Sequence, residues 1–369
     1  MDDFFLKFIF ILLILLSVLY GCKSYTKNIN ASNIKKSKKI IKNNYVLSSR
    51  FFHPRNSKDP HSTINTIAKL NPKRIDWIYY SSKKVLKLYQ DYKLPYSLAL
   101  NPQTPDSLGY TTRPFRIIEF TGDLYKAPWM KKWKIKNPHW GCVNNPKFNK
   151  VFLAKALYLC SLKPYALFVD DALFNARLKL DKKIGCFCKH CKLSFNKKYK
   201  TFSVFEKNLD SIKLMLSKEQ IKYAKKSKHL RDFISKYEEH QEESVVLFLE
   251  RWKTEVKKKY HKVRFLTNNY NGKWNSIYRV FDGGIAELNE KYINVKDLDS
   301  IYAIADSLNK SQLFSIASSN YEVQKSLLNY NAKNNRESLY PWDIFISGKK
   351  RYYMPIDSIL KIKKELKKN

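Results

Sequence analysis

The sequence predicts an α/β fold, a (β/α)8 TIM barrel with an enlarged helical connection after strand 4. Eight short apolar segments recur along the chain, and amphipathic helical segments separate several of them. Eight strands that alternate with helices are the composition of a TIM barrel. One of these segments ends in the adjacent acids Asp170 and Asp171, and the strand ends of such barrels are where reactive side chains collect.

The composition permits a large core and carries an extreme charge. Of the 369 residues, 44% are hydrophobic and 15% are aromatic, and the formal net charge is +38. Charge of this size usually indicates a nucleic acid or another polyanion. Here Lys and Arg are spread over the whole length, Lys greatly outnumbers Arg, and no nucleic-acid-binding motif accompanies them. We therefore expect no specific nucleic-acid partner.

Residues 1–21 have the pattern of a signal peptide. Lys7 precedes an apolar run over 8–20, whose length suits the apolar region of a signal and is short for a membrane span. The sequence Leu19-Tyr-Gly-Cys22 resembles the lipobox of bacterial lipoproteins. This resemblance implies a lipid on Cys22 and an exported, membrane-anchored protein of the cell envelope. The alternatives are a plain secretory signal and an uncleaved anchor with a buried Cys22.

Residues 22–60 are rich in Lys, Asn and Ser and show no sustained apolar period. Such a segment buries too little apolar surface to order itself, so it is expected to be a flexible basic tether. The barrel is then expected over 61–369.

Apolar segments and helical stripes define the elements of the barrel. The predicted strands are 74–80, 96–100, 115–120, 166–170, 263–267, 278–281, 313–317 and 342–346. Asn145 and Pro146 are a typical helix start. The predicted core-facing helical stripes are Phe148, Phe152, Ala156 and Leu159; then Val245, Leu249, Trp252 and Val256; and finally Ile359, Ile362 and Leu366. Two spacings are irregular, because 171–262 must hold extra helices while 268–277 is short for a crossover helix.

Four of the six cysteines form a candidate metal site. Cys160 belongs to a helical stripe and Cys22 to the signal, which leaves Cys142, Cys186, Cys188 and Cys191. Four thiolates satisfy a structural Zn²⁺ ion, and three ligands from one loop with a distant fourth are suited to it. Disulfides are the alternative in an exported chain. Three cysteines within six residues cannot all pair with one distant partner, which favours zinc.

The cysteine pattern also carries a family resemblance. Cys142-Val-Asn-Asn-Pro146 before a helix, a strand that ends in acids, and Cys186-x-Cys188-x-x-Cys191 resemble the zinc-bearing barrel of family 42 glycoside hydrolases, the β-galactosidases. The resemblance is closer to uncharacterised glycoside hydrolases related to that family, and it covers most of 70–355. It implies an Asn-Glu pair at the fourth strand end as the acid/base. This chain has Asp170-Asp171 there, and the shorter aspartate puts the family mechanism in question.

Glycoside hydrolysis requires two carboxyl groups that flank the scissile bond. We expect Asp171 as the acid, with Asp170 binding substrate beside it. The second carboxylate is expected from Asp282, as base or stabiliser, or from Glu287, as nucleophile. Each of these acids has an alternative structural role, in a helix cap or a surface ion pair.

Further polar and aromatic residues are candidates for sugar binding. The side chains expected to contact substrate are Asn101, Trp140, Asn268, Asn269, Trp342 and Asp343, although Asn also favours turns and Trp also fills cores. The sequence therefore predicts an exported glycoside hydrolase that acts on a carbohydrate with paired carboxylates. The alternative is a catalytically inactive, carbohydrate-binding surface lipoprotein.

Overall fold

A computed structural model describes residues 45–48, 70–79, 83–103, 115–128, 139–199, 228–288, 294–316, 318, 320–340 and 356–366. Eight strands, all parallel, form one sheet in the order β7-β6-β5-β4-β3-β2-β1-β8. The sheet closes into a nearly complete barrel with helices around it, which confirms the (β/α)8 prediction.

The elements alternate along the chain. The strands are β1 (Tyr45–Ser48), β2 (Arg74–Ile78), β3 (Tyr96–Leu100), β4 (Ala166–Val169), β5 (Arg264–Asn268), β6 (Gly283–Leu288), β7 (Ser311–Ile316) and β8 (Ser338–Tyr340). The helices are α1 (Lys83–Asp91), α2 (Pro146–Ser161), α3 (Arg177–Leu180), α4 (Lys189–Lys198), α5 (Lys228–Lys259), α6 (Ser276–Arg279), α7 (Val295–Ser307), α8 (Tyr321–Lys333) and α9 (Ile356–Leu366).

Strand β1 lies inside the segment that the composition predicts as a tether. Val46 pairs with Arg74 of β2 on one side and with Leu339 of β8 on the other, and Val46 is fully buried. The barrel therefore begins before residue 61, and the expected boundary at 60 is wrong. A strand of four residues between Lys- and Asn-rich flanks is too short to produce a periodic signal.

Two other predicted strands are not strands of the barrel. Residues 115–120 form an irregular segment with isolated antiparallel bridges, from Arg116 to Gly141 and from Ile118 to Leu124. Residues 278–281 end helix α6, and the strand begins after them, at Gly283. The prediction at 342–346 lies outside the described residues.

Apolar side chains cover both faces of the sheet, the inner and the outer. Inside the barrel, the ring of Trp77 stacks on that of Phe168 with centroids 4.6 Å apart. Outside the barrel, Phe152 packs between Phe148 and Phe248, so that α2 and α5 are joined through aromatic contacts. All eleven side chains of the three predicted stripes are buried, as their spacing predicts.

The connection from β4 to β5 is enlarged, as predicted. It contains α3, α4 and α5, and α5 alone is 32 residues long. This connection carries three of the four candidate zinc ligands to the side of the barrel. Along the chain, the cysteine loop follows the short helix α3, which itself comes after Asp170 and Asp171.

A buried ion network joins the first and last parts of the barrel. Arg74 donates from Nε to Asp76, at 2.9 Å, and pairs with Glu337 at 2.5 Å. The hydroxyl of Tyr165 also donates to Asp76, which is fully buried. Since Glu337 directly precedes β8, the network connects β2 to the end of the sheet.

The predicted signal peptide, residues 1–21, and the predicted lipidation site Cys22 lie outside the described residues. Among the helices that the structure describes, none has the combination of length and apolar character that crossing a bilayer requires.

Candidate active site and metal centre

Acidic side chains meet at the carboxyl ends of the strands. Asp170 and Asp171 follow β4, while Glu287 lies near the end of β6. Strand β5 separates the two strands and hydrogen-bonds to both. Parallel strands end at the same face of a barrel, so these carboxyls belong to one site.

A chain of hydrogen bonds links Asp171 to Glu287. The hydroxyl of Tyr270 donates to the Asp171 carboxylate at 2.6 Å, and the backbone N–H of Tyr270 donates to the side-chain oxygen of Asn268 at 2.9 Å. Asn268 in turn donates from Nδ2 to Glu287 at 2.9 Å. The two acids are thus held by one continuous set of contacts across β5.

The surroundings of Asp171 perturb its protonation strongly. Its side chain is buried, and its backbone has a φ of +52°, a left-handed conformation that Asp tolerates better than most residues. Burial raises the pKa of Asp171 well above its ordinary value, and the nearby charges of Asp170 and Glu287 raise it further. The hydrogen bond from Tyr270 acts in the opposite direction. Asp171 therefore remains protonated to a higher pH than an exposed aspartate.

Asp170 is held from two sides. It accepts a hydrogen bond from the hydroxyl of Tyr79 and another from its neighbour's backbone N–H. The indole N–H of Trp77 donates to the hydroxyl of Tyr79 at 3.2 Å. Trp77 has a φ of +69° at an irregularity in the pairing of β2 with β3. Bulges of this kind redirect side chains near active sites, and here Tyr79 reaches Asp170.

Arg177 places a positive charge beside the acids. Its guanidinium lies 5.3 Å from the centre of the Tyr270 ring and pairs with Asp181 at 3.2 Å. This charge lowers the pKa of Asp171, against the larger effect of burial. In a pair of this kind, the protonated carboxyl can donate a proton to a leaving group. The second, ionised carboxylate can stabilise the cationic centre that forms, or attack it.

The structure excludes Asp282 from this site. Asp282 precedes β6, so it lies at the amino ends of the strands, opposite Asp171 and Glu287. Its carboxylate accepts from Lys253 Nζ and from the backbone N–H of Phe265, both at 2.8 Å. Burial alone would raise the pKa of Asp282, but these contacts lower it. The prediction for Asp282 is wrong because the strand begins after it and not before it.

Two predicted sugar-binding residues are structural. Trp140 is fully buried and packs edge-on against Tyr125, at 5.4 Å between centroids, beside the cysteine loop. Asn269 is fully buried and exchanges hydrogen bonds with Gln312. Its side chain fills the space where a Cβ on Gly284 would lie, which explains the glycine. Neither side chain can reach a sugar without moving the core.

Of the other four predicted sugar-binding residues, two lie at the carboxyl face of the barrel and two are not described. Asn101 follows β3 at the carboxyl face and accepts from the backbone N–H of Gln103 at 3.0 Å, which stabilises a turn. Asn268 is buried and holds Glu287, so its first role is to position that carboxylate. Trp342 and Asp343 lie outside the described residues.

Four buried thiols converge beside the barrel. The sulfur atoms of Cys142, Cys186, Cys188 and Cys191 all lie within 4.8 Å of one another. Cys142 Sγ is 3.3 Å from Cys191 Sγ and 3.5 Å from Cys186 Sγ. A disulfide requires about 2.05 Å, whereas sulfurs around Zn²⁺ at ~2.3 Å stand about 3.8 Å apart. The spacing thus fits a tetrahedral metal site and not a disulfide.

Side-chain amides surround the four sulfurs. Asn175 Nδ2 lies 3.4 Å from Cys142 Sγ, and Asn144 Nδ2 lies 3.3 Å from Cys191 Sγ. Asn175 is fully buried, and its Nδ2 also donates to Gln241. Amide N–H groups directed at sulfur favour the thiolate form that a metal requires. The donor set is closed, so a metal held here would have a structural role.

Three residues of the acidic site escaped sequence reasoning. Tyr79 and Tyr270 each follow a strand closely, as Asp170 does, and that position is a signal that could have found them. Arg177 lies in the short helix after the acidic pair, and no pattern distinguishes it from the many other basic residues.

The barrel is similar to solved glycoside hydrolase structures. α-L-Fucosidase isoenzyme 2 from Paenibacillus thiaminolyticus has a TM-score of 0.53 and 8% identity, over 80% of this chain and 45% of that one. The glycoside hydrolase domain of PelA from Pseudomonas aeruginosa has a TM-score of 0.45 and 8% identity, over 80% and 93%. Aspergillus fumigatus Ega3 in complex with galactosamine has a TM-score of 0.42 and 10% identity, over 81% and 91%.

At these identities the similarity shows the fold alone, and the chain spans less than half of the fucosidase. No protein-family model matches the sequence, and no curated protein matches it.

Proposed function

We propose that this protein is a glycoside hydrolase, with Asp171 as the general acid and Glu287 as the nucleophile or base. The single observation that carries the proposal is the hydrogen-bonded chain from Asp171 through Tyr270 and Asn268 to Glu287, at the carboxyl face of the barrel. The fold that the chain shares with a fucosidase supports it.

The two acids have different environments, which suits two roles. The raised pKa of Asp171 keeps a proton on a buried carboxyl, ready for transfer to the glycosidic oxygen. Glu287 accepts from Asn268, which fixes the orientation of that carboxylate. Glu287 would then attack the sugar carbon or activate a water, depending on the separation of the carboxyls. Asp170 and Tyr79 would contact sugar hydroxyls beside them.

Substitution of each acid tests the proposal. We expect Asp171→Asn and Glu287→Gln each to reduce the release of reducing ends from a responsive polysaccharide or aryl glycoside by about 10²–10⁴-fold. The matched control is Asp282→Asn, which removes a carboxylate at the opposite end of the barrel and should retain turnover. Circular dichroism and thermal unfolding check that each variant folds. Unchanged turnover in Asp171→Asn would remove that residue from the mechanism.

One observation favours a second candidate, a carbohydrate-binding lipoprotein without hydrolytic activity. Asp171 stands where the resembled family has glutamate, and its side chain is one methylene shorter. Misplacement on this scale weakens catalysis severely while leaving a binding surface in place. A glycan array combined with product analysis separates the candidates, because binding without any cleaved product supports the second one.

We further propose a structural Zn²⁺ ion on Cys142, Cys186, Cys188 and Cys191. The burial and mutual spacing of the sulfurs support it, as do the amides directed at them. Zinc bound there would hold part of the connection between β4 and β5 against the start of α2.

The proposed location is the outer surface of a membrane, through a lipid on Cys22. The lipobox-like sequence at 19–22 supports this proposal. Loss of membrane fractionation in Cys22→Ser would be the expected result, and a variant that still sediments with membranes would contradict it.

A further inference from the structure

A cleft lies at the amino ends of the strands, opposite the acidic site. It has a volume of about 800 Å³ and runs between the last turns of α5 and the amino ends of β6 and β7. Val280 and Lys310 lie in its wall, each close before a strand. Asp171 and Glu287 follow their strands, so this cleft is separate from the acidic site.

Five of the eight residues that line the cleft are cationic. The charged side chains in its wall are Lys253, Lys257, Lys258, Arg279, Lys310 and one carboxylate, Glu250. The lysines of α5 recur at the spacing of one helix face, and Arg279 and Lys310 face them from the barrel. Elsewhere the many lysines of a basic chain are expected to be solvated singly, but here five cations share one concave surface.

Lys257, Arg279 and Lys310 form no hydrogen bond or ion pair with a carboxylate among the described residues, although the charge of Asp282 acts on Lys257 and Lys310. Lys257 donates from Nζ to the backbone oxygen of His261 at 2.9 Å, and Arg279 donates from Nε to that of Trp274 at 2.9 Å. Within the described part of the chain, Lys310 Nζ makes no hydrogen bond or ion pair. Lys253 pairs with Asp282, and Lys258 pairs with Glu255. After these two pairs, Lys257, Arg279 and Lys310 stand against the single carboxylate of Glu250, so the cleft keeps a positive excess.

Lys310 lies where its positive charge is destabilised by its surroundings. Burial lowers the pKa of Lys310, and repulsion from Lys253 lowers it further, with partial compensation from Asp282. A group with several negative charges placed between α5 and Lys310 would relieve this repulsion. Four lysines provide separate point charges, which suit phosphate oxygens, and the planar guanidinium of Arg279 can bind two such oxygens together.

We propose that this cleft binds a ligand with at least two clustered phosphate charges, such as a pyrophosphate group. Its position away from Asp171 and Glu287 makes it an attachment or regulatory site and not part of a reaction. The inference does not rest on glycoside hydrolysis, and it stands or falls separately from that proposal.

Calorimetric titration of the full chain with sodium pyrophosphate at low ionic strength tests the proposal. We expect saturable 1:1 binding that weakens steeply with added salt. The double variant Lys257→Gln/Lys310→Gln should bind about tenfold or more weakly. Neither residue contacts the acidic site, so turnover should be unchanged. The matched control Lys150→Gln/Lys296→Gln removes the same charge from exposed positions on α2 and α7 and should bind as the parent does.

Three results would overturn the proposal. These are no saturable binding by the parent, equal weakening in the control variant, and orthophosphate binding as tightly as pyrophosphate. Thermal unfolding of both double variants checks that a lost signal is not lost folding. Vesicles of phosphatidylglycerol then identify the source of the phosphate. Displacement of the parent from vesicles by pyrophosphate indicates clustered headgroups, and pyrophosphate binding without vesicle binding indicates a soluble ligand.

Discussion

At the scale of single residues, the protonation of Asp171 depends on its burial and on a few neighbouring side chains. Burial and the charge of Asp170 raise its pKa, while the hydroxyl of Tyr270 and the charge of Arg177 lower it. These neighbours come from β4, the loop after β5, and α3. The pKa of Asp171 thus depends on side chains that can be substituted one at a time, while the carboxyl itself is kept.

Two substitutions should shift the pH profile in opposite directions. Tyr270→Phe removes a hydrogen bond to the carboxylate, so the pKa of Asp171 should rise and the alkaline limb of kcat/KM should move to higher pH. Asp170→Asn removes a like charge, so the pKa should fall and the limb should move to lower pH. Tyr158→Phe, at an exposed tyrosine on α2, is the control and should leave the profile unchanged. Shifts in the same direction in both variants would contradict this account.

At the scale of elements, the cysteine loop joins the start of α2 to α4. Cys142 lies just before the Asn145 cap of α2, and Cys191 lies in the first turn of α4. A metal on these sulfurs would hold the two helices together beside the barrel.

Substitution of one sulfur should therefore affect more than metal content. Cys188→Ser should lose the bound zinc measured by elemental analysis and lower the midpoint of thermal unfolding, because it removes a ligand and leaves buried thiols without an ion. Cys160→Ser is the matched control, since Cys160 is buried in the apolar core away from the cluster. It should keep its zinc. Full metal content in Cys188→Ser would show that the four sulfurs do not form the site.

At the scale of the whole molecule, an ion pair as well as backbone pairing joins the first strands of the barrel to the last one. Arg74 and Glu337 lie 2.5 Å apart and join β2 to the residue before β8. Burial would raise the pKa of Glu337, but the hydrogen bond and charge of Arg74 lower it to about 2. Stability from this acid is present above its unfolded pKa and is lost as the pH falls toward 2.

Glu337→Gln should consequently reduce the free energy of unfolding by about 1–3 kcal/mol at neutral pH, and by much less near pH 2. Denaturant unfolding at a series of pH values measures the difference. Asp306→Asn is the control, because it breaks an exposed pair with Arg336 and should cost less than about 1 kcal/mol. Equal losses for Glu337→Gln at both pH extremes would mean that the pair does not carry the effect.

The fold was largely predictable because its stronger elements have strong signals. The N-cap and apolar stripe of α2, and the apolar run of β4, can be recognised from neighbouring residues alone. Strand β1 does not, since its four residues are identified only by pairing with β2 and β8. Sequence alone likewise could not choose between the two candidates for the second carboxylate. Asp282 and Glu287 are equally acidic in sequence, and only the start of β6 at Gly283 separates them to opposite ends.

The position of β1 between β2 and β8 has a consequence for biosynthesis. Its second neighbour is synthesised almost 300 residues later, so the cylinder cannot be sealed while the chain is still being translated up to that point. Export through a translocase, which the proposed lipid anchor requires, would benefit from this late pairing, because the barrel cannot be completed before β8 is made.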